Sequence, residues 1–120
     1  MEDDKRTIKE LKTLIKEFNK DRDWDKFHNA KDLAIAISTE AAEILEHFIY
    51  KSNEEIEDLF KGKKRTEIED EVADVLWATL MLAERYNIDL SSALKKKIEK
   101  TALKYPINKA RGSNKKYTEL

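Results

Sequence analysis

Cysteine is absent from the chain, which excludes disulfides, thiolate zinc sites, iron–sulfur clusters and cysteine nucleophiles. Proline occurs once and glycine twice in 120 residues. Sandwiches and barrels consume both residues at their many turns, so their scarcity points to helices. No run approaches the roughly 18 consecutive apolar residues of a membrane span, and no signal-peptide hydrophobic region follows Met1. The net charge is only -1, which argues against a dedicated binder of polymeric nucleic acid. Without thiols the compartment is not set by redox chemistry, and the cytoplasm is the default expectation. What the chain does have is charge, 41% of its residues, beside 40% apolar ones. At a length typical of one domain (1–120), such a chain can bury a modest core.

Hydrophobic spacing predicts an all-α fold of the four-helix-bundle type with one short extra helix. Ile8, Leu11, Ile15 and Phe18 share one face of a first helix, which fades between Asn19 and Asp23. A connector without periodicity then carries Trp24, Phe27 and His28. Asn29, with Asp32 three residues on, is a candidate N-cap for a second helix with Leu33, Ile37, Ala41, Ile44 and Phe48 inward. Ser52 with Glu55 reads as a capping box for a short helix reaching Phe60. After the polar break Lys61–Arg65, Thr66 with Glu69 reads as a second capping box, opening a long helix through Ile68, Val72, Val75, Thr79 and Leu82. A last helix with Leu90, Leu94 and Ile98 must stop at Pro106. A basic tail, 105–120, follows.

Local charge says more than the total. Between Glu40 and Asp74 there are 12 acidic and 5 basic residues, a net of −7, whereas the tail from Lys104 carries a net of +4. Within the acidic stretch Glu40-Ala-Ala-Glu43-Ile-Leu is echoed by Glu71-Val-Ala-Asp74-Val-Leu. At about 100° per residue, both acids of each pair border the apolar stripe and not the far face of the helix. Two helices packed by these stripes bring four carboxylates to one edge of their interface. Such a cluster repels itself unless protonated or neutralised, and oxygen-only donors suit hard divalent ions, Mg²⁺ or its substitute Mn²⁺. The bland alternative is that acids solvating a helical bundle repeat by chance.

E-x-x-E followed after 27 residues by E-x-x-D resembles the MazG-like all-α nucleoside triphosphate pyrophosphohydrolases. Arg22-Asp23-Trp24, Phe27-His28, Ile88-Asp89-Leu90, Lys104-Tyr105-Pro106 and Lys116-Tyr117-Thr118-Glu119-Leu120 extend the likeness over nearly the whole chain, toward the dCTP pyrophosphatase branch. The resemblance implies hydrolysis of a (d)NTP, with dCTP or a related pyrimidine nucleotide as the finer expectation, to the monophosphate and pyrophosphate. It implies that Glu40, Glu43, Glu71 and Asp74 hold Mg²⁺, that a metal-bound water is the nucleophile, and that Glu43 or Glu40 positions or deprotonates it. Lys97, Lys104 and Arg85 stand at family positions facing phosphate, with Tyr105 as a hydroxyl donor and Arg111 and Lys116 as further candidates. Trp24 and His28 stand at positions near base and sugar, although a core-plugging tryptophan and a capping histidine are the plain alternatives. Four departures stand out: Tyr50 for a tryptophan, Ala78 for an aromatic, Thr101 for an asparagine and Ala30 for a proline. The implied role is nucleotide-pool sanitation.

Two rival readings stay open. His47 near Glu40 and Glu43 invites a di-iron carboxylate bundle, but such sites want Glu-x-x-His twice, and the other histidine lies in the connector. A non-catalytic helical interaction module is the second. Ile49, Trp77 and Leu80 fall outside the main stripes and need cover, and the resemblance implies a homotetramer, with a dimer as the alternative.

Overall fold

The computed structural model describes every residue from Met1 to Leu120, with six α-helices and no strand. Helix α1 spans Ile8–Asp21, α2 Ala30–Glu46, α3 Asn53–Leu59, α4 Lys64–Arg85, α5 Leu90–Lys104 and α6 Ile107–Ala110. The all-α expectation holds. No helix is long and apolar enough to cross a membrane. The chain divides into two compact units, Met1–Asn87 and Ile88–Leu120.

In the first unit the caps set the helix starts. Thr7 Oγ1 accepts from the Glu10 amide at 3.1 Å, while the Glu10 carboxylate accepts from the Thr7 amide at 2.9 Å. Asn29 Oδ1 accepts from the Asp32 amide at 2.8 Å, as its spacing predicts. Ser52 and Glu55 close the reciprocal box at the head of α3. The second predicted box does not form. Helix α4 begins two residues before Thr66, and Glu69 instead takes a bond from Arg65 Nε at 2.6 Å. With the Lys64–Glu67 pair at 2.9 Å, these contacts make a helical first turn out of a charged run that looks like a break.

Helix α4 is the spine of this unit, packed against both α2 and α1. Its buried residues are Ile68, Ala78, Leu80, Met81 and Ala83, and Leu33 of α2 joins them. Leu80 thus corrects the sequence reading. It is 2% exposed within a single chain, because a helix covered from two sides buries more than one stripe. Ile49 and Trp77 do remain exposed, together with Ile35, Leu45, Val72 and Leu76. At the end of α4, Arg85 Nη1 donates to the Asp25 carbonyl at 3.1 Å, and Tyr86 Oη accepts from the Ala30 amide at 3.0 Å. The first bond fastens the connector to the spine, and the second fastens the head of α2 where the connector ends.

In the second unit Asp89 caps α5 by accepting from the Ser92 amide at 2.8 Å, and Pro106 ends it. Tyr105 Oη accepts from the Tyr117 amide at 3.2 Å, and Lys104 Nζ lies 4.9 Å from the Tyr117 ring. These contacts fold the tail back on the end of α5. Its apolar residues Leu94, Ile98, Leu103 and Ile107 are all exposed.

Candidate active site

The connector places the aromatic residues. After α1 the Asn19 carbonyl accepts from the amides of Arg22 and Trp24, at 3.2 and 3.0 Å, and Asp23 between them takes a left-handed φ of 52°. That reversal turns Trp24 edge-on to Phe18, with centroids 5.8 Å apart. Phe18 also meets Trp77 of α4 edge-on at 5.1 Å. Together Phe18, Trp24 and Trp77 wall a cavity of about 410 Å³ that His28, Glu40 and Asp74 also line. Trp77, read from the sequence as an apolar residue in need of cover, thus lines the same cavity as Glu40 and Asp74. A neighbouring cavity of about 350 Å³ lies beside Arg85 and shares Asn19, His28, Leu33 and Met81 with the first.

Glu40, Glu43, Glu71 and Asp74 come from the facing helices α2 and α4. Glu40 feels all three others. Its carboxyl is raised to about 6, first by the adjacent Glu43 carboxylate, which can accept a hydrogen bond only if Glu40 holds a proton. Burial comes next, then the charges of Glu43, Asp74 and Glu71. Glu40 Oε2 is buried without a partner. An orphaned carboxylate oxygen amid like charges fits a hard cation better than any protein donor present. The four acids are not gathered into a ready ligand set, since no three such groups stand close enough together to hold a metal. Glu71 is instead engaged by His47 Nε2 at the end of α2.

The remaining predicted residues divide. Trp24 is half-exposed over the cavity, and His28 lines both cavities with its Nδ1 buried and unpartnered. Arg85 faces the smaller cavity and holds the connector through Asp25. Lys97, on α5, and Lys104 and Tyr105, at its end, belong to the second unit. Sequence reasoning missed Asn19, taken as the fading end of a helix. Its signal was present: it stands four residues after Ile15 and eight after Leu11, on the apolar face.

Residues 35–120 match the model of the MazG-like family. The chain belongs to that family. Its relatives include dCTP pyrophosphatase 1 of Rattus norvegicus, 35% identical over 115 residues, covering 95% of this chain and 68% of the relative. The Homo sapiens protein of the same name is 34% identical over the same shares. Among solved structures, a pyrophosphatase from Archaeoglobus fulgidus superposes with a TM-score of 0.78 at 39% identity, covering 82% of this chain and 92% of that one. The acid pairs Glu40 with Glu43 and Glu71 with Asp74 lie within the matched segment.

Proposed function

We propose that this chain is a nucleotide diphosphatase that hydrolyses a (d)NTP, dCTP or a related pyrimidine nucleotide, to the monophosphate and pyrophosphate. Its likeness to proteins named dCTP pyrophosphatase 1 and to an archaeal pyrophosphatase supports the reaction class. The observation that carries it is Glu40, whose buried Oε2 has no partner and which lines an aromatic-walled cavity with Asp74. The Glu43 carboxylate, burial and the nearby acid charges together raise its carboxyl to about 6.

Glu40, Glu43, Glu71 and Asp74 are the residues to hold a divalent ion, Mg²⁺ by the hardness of its all-oxygen donors. When bound, the ion supplies charge neutralisation for the triphosphate and acidifies water. Glu43 takes the proton of the water that attacks the α-phosphorus, while Glu40 holds that water in line. A phosphorus–oxygen bond forms to water, the bond from the α-phosphorus to the bridging oxygen breaks, and pyrophosphate leaves with that oxygen. Trp24 stacks on the base, and His28 hydrogen-bonds base or sugar. Arg85, beside the smaller cavity, covers part of the remaining phosphate charge.

The chain acts as one MazG-like domain (1–120) in the cytoplasm, as a homotetramer or dimer. The uncovered apolar residues of both units support assembly. The reading is tested by pyrophosphate release from a panel of dNTPs and NTPs with Mg²⁺. Release that needs the ion and favours cytosine nucleotides is the expected result. A folded chain releasing none from any nucleotide is a helical interaction module instead.

A further inference from the structure

Asn19 is the one buried polar or charged residue of the chain, 3% exposed. Its backbone carbonyl accepts two hydrogen bonds, but its carboxamide bonds to no other group of the protein. The fully enclosed side-chain atoms without a partner are His28 Nδ1 and Glu40 Oε2, so the Asn19 amide, with no partner in the protein, keeps access to the cavities it lines. Asn19 lines both cavities, as does His28, whose Nδ1 is buried and unpartnered. Flat or apolar side chains, Phe18, Trp24, Leu33 and Met81, form one part of the walls, and charged groups such as Glu40, Asp74 and Arg85 form another. Apolar walls with a few convergent unpaired polar atoms suit a planar, heteroatom-edged ring.

We propose that Asn19 determines specificity by hydrogen-bonding the edge of a pyrimidine base through its side-chain amide. A carboxamide presents an acceptor oxygen beside two N–H donors. The cytosine edge presents the complement, an exocyclic amine that donates and a ring nitrogen that accepts. Where the bound ring displaces water from the amide, a ring lacking that edge leaves the amide unpaired, and discrimination follows from this loss more than from the bond itself. The inference rests on the nucleotide reading above, yet it concerns the base alone and not the chemistry at phosphorus.

The test measures binding without metal. Calorimetric titration compares dCMP with deoxyribose 5-phosphate, which lacks a base, on the full chain and on Asn19→Leu and Asn19→Ala. The dCMP affinity is expected to fall by about tenfold or more in both variants, the loss of one net hydrogen-bond pair. Affinity for the sugar phosphate is expected to stay within about twofold, and Asn19→Leu to melt no lower than the parent, since it removes an unpaired amide. Equal weakening of both ligands, unchanged dCMP binding, a parent that binds dCMP no better than the sugar phosphate, or loss of fold in both variants overturns the inference. Failure of the hydrolysis reading is seen separately, as absent pyrophosphate release, and leaves this binding readout intact.

Discussion

Met1–Asn87 and Ile88–Leu120 are built on opposite electrostatic plans. The first unit holds 22 acidic and 15 basic residues, a net of −7; the second holds 3 and 9, a net of +6. The first also contains every buried residue, whereas the second has none. In the first unit, apolar side chains are spent on a core that holds carboxylates against their own repulsion. In the second, Leu94 and Ile98 form a helical stripe that is 63% and 61% exposed. One unit is thus stabilised from within, and the other presents a surface that still lacks cover.

The largest expected effect breaks the acidic side of this contrast. Glu43→Gln and Asp74→Asn should each lower pyrophosphate release by at least about 10²-fold while circular dichroism and melting stay near the parent. Turnover within a few-fold of the parent in both would remove the metal assignment. Next comes the core. Leu33→Ala deletes a buried side chain and is expected to cost about 2–5 kcal/mol in denaturant unfolding. Ile98→Ala should leave single-chain stability nearly unchanged but lower the mass seen by light scattering, if its stripe is an interface. Equal stability losses from the two substitutions would erase the distinction between the units.

A smaller effect concerns protons. Folded Glu40 holds its proton up to about 6 against an ordinary 4.5, so the folded state binds the proton more tightly than the unfolded one. Its contribution to stability is therefore full below about pH 4.5 and is lost as the pH rises through about 6. Melting temperatures of parent and Glu40→Gln, measured without metal, should diverge across that window in this direction; parallel curves would contradict it. Smallest of all, Ser52→Ala opens the capping box of α3 and should cost about 1 kcal/mol, read from the same melts.

How much of this was legible in the sequence depended on whether one helix face met one partner. The first, second and fifth helices have single stripes and local caps, so spacing placed Ile8, Asn29 and Leu90 at or next to their starts. Helix α4 meets two partners, so Leu80 looked unplaced. Its start was misread because the Lys64–Glu67 and Arg65–Glu69 pairs build helix from residues that look like loop. The acid pairs were visible through their matched spacing, and Glu40 does sense Glu43, Glu71 and Asp74. What spacing could not supply was rotamer choice. Glu71 turns to His47, four residues beyond Glu43, an attraction between side chains that no periodicity encodes. Asn19 was passed over because a polar residue near a helix end reads as a stop signal, although its position on the apolar face marked it as buried.

The bonds from Arg85 to the connector and from Tyr86 to the head of α2 give α4 a second use, as a ruler. Eleven residues separate Asp74 from Arg85, and at 1.5 Å per residue that is roughly 16 Å of stiff rod between acids and anchor. One residue inserted between them would swing the anchor by about 100° about the rod and detach the loop that carries Trp24. Spacing along this segment should therefore tolerate substitution far better than any change of length.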